Sequence, residues 1–308
     1  MQLPKQPFTA YLAPRGFVSD LVRELGGKRA GLVVRDRLVL RPGEPVESAW
    51  AHNVWFDPQV ITISSIKDAA RQLKAIQRNW SLYSVDNHRR AKLIQEQLPH
   101  VSAKPIPFGS PLPDSPLGSW TLWSHDTVIA SPTCSSPVSD GEYYFVENKT
   151  DPPNRAYLKL WETFTRLNRF PRPGELCLDL GSSPGGWSWV AAECGAYVFS
   201  IDKAPLDGRI DRHPRIQHCI GSGFGLDPRH CGTIDWLFSD MACYPERLYN
   251  LVTRWLELGR CRNFVCTVKL QGEEYAKDLE PFMAIPGSRL MHLSHNKHEL
   301  TWVLFDTI

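Results

Sequence analysis

The sequence predicts an α/β protein: a mostly parallel sheet wrapped by helices and closed by a terminal antiparallel hairpin, preceded by a smaller α+β domain. Three observations in its 308 residues carry that expectation. From about residue 154 onward, short apolar runs of strand type alternate with helical stretches. Directly behind the first of these strands, LDLGSSPGGWSW at 178–189 bunches three glycines around a proline. Well ahead of both, AKPIPFGSPLPDSPLGS at 103–119 sets five prolines among Gly and Ser, which forbids a helix and spoils a central strand. The expected division is a domain over 1–120, a linker or connecting strand region over 121–153, and a second domain over 154–308.

Composition bounds this picture. With 42% hydrophobic and 22% charged residues the chain has core material for two domains. A net charge of +2 is too mild to announce a polyanion partner, although it leaves room for a local basic patch. The eight cysteines include no CxxC and no Cys/His spacing of zinc type, so they read as buried thiols with no metal site. The N-terminus lacks the pattern of a secretion signal, and no apolar run approaches the roughly 18 residues of a membrane span. A reducing, cytoplasmic location with no membrane contact is the expectation.

In chain order, TAYLAPRGF reads as a strand leading into the helix VSDLVREL, which Gly26 and Gly27 terminate. AGLVVRDRLVL reads as a hairpin. SSIKDAARQLKAIQRNW opens on a serine cap and spaces Ile66, Ala69, Ala70, Leu73 and Ile76 at helical intervals, and HRRAKLIQEQL is a second helix. Arg and Lys on these helices suit either solvated faces or RNA contact, while Trp50, Trp55 and Trp80 suit core packing before base stacking. WTLWSHDTVI reads as one short strand, followed by a loop-rich stretch, 130–142. Beyond it come the strands ELCLDL, AYVFSID, IQHCI, IDWLFSD and NFVCTVKL. The helix YPERLYNLVTRWLELGR carries Leu248, Leu251, Val252, Trp255 and Leu258 as its apolar stripe. SRLMHLSHNKHELTWVLFD reads as two strands joined by a short polar turn.

In doubly wound sheets ligands sit beyond the carboxyl ends of the strands, which is where the glycine turn Gly181-Ser182-Ser183-Pro184-Gly185-Gly186 lies. It is neither GxGxxG nor a P-loop, and Pro184 removes a backbone donor that a pyrophosphate needs. Asp202 ends the second strand about 20 residues later, where an acid takes ribose hydroxyls. A nucleoside without phosphate fits both facts, and S-adenosyl-L-methionine is such a ligand, with Asp179 and Asp240 available to its sulfonium.

Three more residues converge on the same rim. Asp240 ends the fourth strand, Lys269 ends the fifth, and Glu299 begins a last strand that runs the other way. Taken singly, each has an ordinary structural explanation as a snorkelling lysine, a helix cap or a turn residue. Taken together they form a candidate catalytic centre.

RAYLKLWE, LDLGSSPGGWSW, FSDMA, VKL and HELTWV resemble, in this order, the motifs of the FtsJ-like ribose 2'-O-methyltransferases. The resemblance covers 154–308. It implies a Rossmann-like fold that uses S-adenosyl-L-methionine, with Lys159, Asp240, Lys269 and Glu299 as the family's Lys-Asp-Lys-Glu tetrad. It further implies cofactor contacts from Gly181, Ser183, Pro184, Gly185, Gly186, Trp187, Asp202, Ser222 and Asp240. Ser222 in IGSGFGLD stands where the family usually has an acid for the adenine amino group, and its hydroxyl still accepts a hydrogen bond. The run from DWLFSDMA to TVKL and the separate preceding domain are similar to members that modify a cytidine of bacterial 23S rRNA. The first domain is by that likeness a THUMP-like RNA-binding domain, and the implied partner is 23S rRNA or a ribosomal precursor.

Mechanistically, Lys269 is the expected base, held by Asp240 and Glu299, with Lys159 steering the ribose or its phosphate. A free lysine, with pKa about 10.4, is protonated at pH 7. A neighbouring ammonium lowers that value and carboxylates raise it, so the balance awaits geometry. An RNA-binding protein without chemistry, a NAD-dependent oxidoreductase and a small-molecule methyltransferase are the competing readings.

Overall fold

A computed structural model describes residues 3–4, 7–272 and 275–307, and the chain divides into two units, Met1–Tyr144 and Phe145–Ile308.

In the first unit β1 (Phe8–Leu12) leads into α1 (Val18–Glu24), and β2 (Val33–Arg35) and β3 (Leu38–Pro42) form the expected hairpin. With β4 (Asn53–Trp55) they make an antiparallel sheet in the order β2-β3-β1-β4. The next elements are β5 (Gln59–Thr62), α2 (Ile66–Ile76), β6 (Trp80–Leu82) and α3 (His88–Gln95), then β7 (Gly118–Ser124) and β8 (Thr127–Ser131). Their sheet runs β5-β8-β7-β6. The Ser65 hydroxyl caps α2 by accepting the Asp68 N–H at 3.1 Å. Ala69, Ala70 and Leu73 of α2 and Ala91 and Ile94 of α3 pack with Trp80 and Trp120 in one core cluster. Trp50, Trp55 and Trp80 are fully buried, so all three rings belong to the core.

Two readings of this region change. WTLWSHDTVI is a hairpin of two strands, because the Ser124 and Thr127 hydroxyls both donate to the Asp126 carboxylate, at 2.7 and 3.2 Å, and close a tight turn. The stretch 121–153 is accordingly shared out: β7 and β8 are central strands of the first unit's second sheet, and the units divide at Tyr144 and Phe145.

The second unit contains α4 (Tyr157–Leu167), β9 (Leu176–Leu180), α5 (Gly186–Glu193), β10 (Tyr197–Asp202), α6 (Gly208–Asp211) and β11 (Ile216–Ile220). It continues with β12 (Thr233–Ser239), α7 (Pro245–Leu258), β13 (Arg260–Lys269), α8 (Ala276–Met283), β14 (Arg289–Met291) and β15 (Glu299–Leu304). The sheet order is β11-β10-β9-β12-β13-β15-β14. β9 to β13 are mutually parallel, and β15 enters antiparallel between β13 and β14. β9 pairs with β10 on one side and β12 on the other, so the strand order reverses there, the position beyond whose strand ends doubly wound sheets bind ligands.

All five expected strands are present. On α7 the residues Leu248, Leu251, Val252 and Trp255 are buried, whereas Leu258 at the end of the helix is exposed. The link between β14 and β15 is seven residues, 292–298, rather than a short turn. Of the cysteines, Cys177, Cys261 and Cys266 are buried, while Cys219, on the edge strand β11, is exposed. No helix among the described residues is long and apolar enough to cross a membrane.

Candidate active site

The glycine turn leaves β9 tightly bound to its own chain. Gly181 has φ +79°, and a side chain there would strike Met241, just beyond Asp240. The Gly181 and Ser182 N–H groups donate to the Ile201 carbonyl at 2.8 and 3.4 Å, and the Ser183 N–H donates to the Asp202 carboxylate at 3.0 Å. Pro184 has no N–H. Four consecutive positions therefore offer no backbone donor to a phosphate, whereas Gly185, at φ +111°, turns the chain into α5.

The expected cofactor residues divide by what their atoms already do. Asp202 holds the turn, accepting from Ser183 and from the Ala204 N–H at 2.9 Å, with lone pairs left on its oxygens. The Ser183 hydroxyl donates to the Pro205 carbonyl at 2.8 Å. Trp187 turns inward: its indole N–H donates to the Ala156 carbonyl at 2.9 Å, so its ring joins α5 to the start of α4 and packs in the core. Ser222 follows β11 on the same rim and accepts the Gly225 N–H on its carbonyl. Asp179 is not open to a sulfonium. It is buried inside β9, takes the Ser188 hydroxyl at 2.6 Å, and burial pushes its carboxyl up to about 7.

The four tetrad residues converge. Lys159 comes from the first turn of α4, Asp240 follows β12, Lys269 ends β13 and Glu299 begins β15. The Lys159 ammonium lies 3.1 Å from Asp240 and 2.6 Å from Glu299, and the Lys269 ammonium 2.6 Å from Asp240 and 2.8 Å from Glu299. Each amine bridges both acids. Lys159, expected to steer the ribose, is 8% exposed, donates hydrogen bonds to Asp240 and pairs with Glu299; it braces the acids, and Lys269 is the more open amine.

Charge settles the balance left open above. Burial pushes the Lys269 amine down, but the Asp240 and Glu299 carboxylates more than reverse this, so its pKa lies above the ordinary lysine value. Burial likewise raises Glu299, and Lys159 and Lys269 overcome it, holding this carboxyl below its usual range. The resting site thus favours a charged Lys269 amine beside a charged Glu299 carboxylate.

Sequence reasoning missed the support behind this square. Glu162, one turn along α4 from Lys159, is fully buried and accepts the Ser294 N–H at 2.8 Å. Its only sequence signal is a helical spacing of three from Lys159.

A parallel sheet whose reversal point carries a phosphate-averse glycine turn beside this tetrad defines a methyltransferase domain. Residues 152–271, within the second unit, match the FtsJ-like methyltransferase family. Among curated relatives, the chain is 32% identical over 170 residues to ribosomal RNA large subunit methyltransferase M of Laribacter hongkongensis, covering 49% of this chain and 47% of that protein. The protein of the same name from Halorhodospira halophila is 37% identical over 121 residues, covering 38% and 35%. These matches span about half the length of the first relative and about a third of the second. A solved 1,6-didemethyltoxoflavin-N1-methyltransferase from Burkholderia thailandensis is 18% identical with a TM-score of 0.36, over 50% of this chain and 78% of that one.

The family's cofactor is S-adenosyl-L-methionine, and the residues present fit it. The turn lacks phosphate donors, Asp202 keeps acceptor capacity, and Asp240 offers a carboxylate at the rim.

Proposed function

We propose that this chain transfers a methyl group from S-adenosyl-L-methionine to a ribose 2'-hydroxyl of RNA, the target being a cytidine of 23S rRNA or its precursor. The observation that carries the reading is the closed square of Lys159, Asp240, Lys269 and Glu299 at the ends of β12 and β13. A ribose hydroxyl is a weak nucleophile until its proton is taken, and a lysine held in place by two acids suits that task.

The bound cofactor supplies an electrophilic methyl on a positively charged sulfur. Lys269 receives the hydroxyl proton as the oxygen–carbon bond forms. For this its amine must first be neutral, and Asp240 and Glu299 make the neutral form a minority at pH 7 while fixing the nitrogen's position. Lys159 keeps the two carboxylates from repelling one another, which holds the square closed.

The first unit supplies RNA grip in this reading, as a THUMP-like domain. Lys67, Arg71 and Lys74 on α2 and Arg89 and Lys92 on α3 are exposed cations suited to a phosphate backbone. The chain acts in the cytoplasm in this account.

The test is transfer of labelled methyl to rRNA from cells lacking this chain, followed by digestion to nucleosides. Label in 2'-O-methylcytidine is expected. Label in a base, or transfer only to small molecules, would remove the assignment.

A further inference from the structure

The link between β14 and β15 leads directly into Glu299, the first residue of β15, and is fastened to α4 at several points. Glu162 accepts the Ser294 N–H at 2.8 Å and the Ser294 hydroxyl at 3.3 Å. Arg166, one turn further, lies 3.4 Å from Glu162 and donates to the His292 carbonyl at 2.9 Å. The same helix carries Lys159, which meets Glu299 at 2.6 Å. Helix and link are therefore joined twice, once by the reacting square and once behind it.

We propose that Glu162 is a positioning residue: through Ser294 and Arg166 it fixes the link so that Glu299 arrives within reach of Lys159 and Lys269. A carboxylate at 0% exposure is costly to desolvate, and an apolar side chain of similar volume would stabilise the core as well or better. Burial raises its carboxyl to about 7, the mark of that cost. Its hydrogen bonds go to the link and to the arginine that also grips the link, so the expense secures geometry. This rests on the methyl-transfer reading only in taking the square as the reacting centre.

The experiment compares the full chain with Glu162→Ala and Glu162→Gln, reading two quantities. The first is the proton–nitrogen NMR signal of the Lys159 and Lys269 ammonium groups, assigned by Lys→Arg variants, which reports the square whatever the substrate. The second is the methyl-transfer rate to rRNA at saturating cofactor. Glu162→Ala is expected to shift or abolish the Lys159 signal and to slow transfer about 10- to 100-fold, as misplacement of about 1 Å does, with S-adenosylhomocysteine affinity unchanged. Glu162→Gln, which still accepts from Ser294, is expected to recover most of both. If Glu162→Ala fails to fold, the double variant Arg166→Gln/Ser294→Ala, which cuts the side-chain tethers alone, must show the same paired change in smaller measure. Unshifted ammonium signals with an unchanged rate, or a loss confined to cofactor affinity, would overturn the inference. Absence of transfer by the unmodified chain would instead count against the proposed function, leaving the ammonium signals to decide this point.

Discussion

Lys269 and Glu299 are paired residues in the antiparallel ladder between β13 and β15, and their side chains meet at 2.8 Å. Backbone register thus delivers half of the tetrad: the last residue of one strand faces the first residue of its neighbour on the same side. Asp240 joins from the adjacent parallel strand end, one residue past the Ser239–Cys266 pairing. Lys159 alone comes from a helix.

If Lys269 takes the proton, Lys269→Ala lowers the transfer rate about 10²- to 10⁴-fold, the span general-base catalysis supplies. Binding of S-adenosylhomocysteine, measured by calorimetry, stays near its original value. The unmodified protein's rate also depends on pH in a definite way. Its amine is shifted above the ordinary 10.5, so the neutral fraction grows about tenfold per pH unit throughout the range below that value. The logarithm of the single-turnover rate therefore climbs with a slope near one between pH 6.5 and 9, and a flat profile would speak against this base.

Removing Glu299 leaves Lys159, a nearly inaccessible ammonium, with Asp240 as its remaining partner in the square. Glu299→Ala is expected to cost about 3–5 kcal/mol of stability, the usual result of breaking one side of a buried ion pair. Urea denaturation checks it; a loss below about 1 kcal/mol would mean that the pair behaves as an exposed one.

Asp179 gives a stability test independent of catalysis. Its carboxyl, near 3.8 in an unfolded chain, is raised to about 7 by burial. Between these values the folded protein binds a proton that the unfolded chain does not, so this residue's contribution is full below pH 4 and is lost as pH rises through 7. Asp179→Asn stays neutral throughout. Melting temperatures of the Asn variant, relative to the unmodified protein, are expected to improve steadily from pH 4 to pH 7 and then level off.

The parts of this molecule that were legible in its sequence are those where local pattern and tertiary role coincide. The strands β9, β10, β12 and β13 are largely buried apolar runs bounded by turn residues, β11 being the exposed edge strand, and Asp240, Lys269 and Glu299 stood out because they punctuate such runs. The short strands β2 and β14 were legible only through the longer strands that follow them. β4 and β6 are three residues each, too few for an alternation to register, and β7 and β8 merged because only His125 and Asp126 separate them. Trp187 sat in a recognisable motif, yet its indole faces the Ala156 carbonyl in the core. Glu162 was hidden for the opposite reason: α4 buries Lys159, Glu162, Thr163 and Thr165 along with its apolar residues, so polarity there does not mark the solvent side.

The most direct test of the central claim, that this square prepares a ribose oxygen for methylation, is transfer to an RNA fragment carrying 2'-deoxycytidine in place of the methylated cytidine. Transfer is expected to be abolished while the fragment still binds as a competitor of the all-ribose RNA. Methylation of the deoxy fragment at an undiminished rate would place the methyl elsewhere and contradict it.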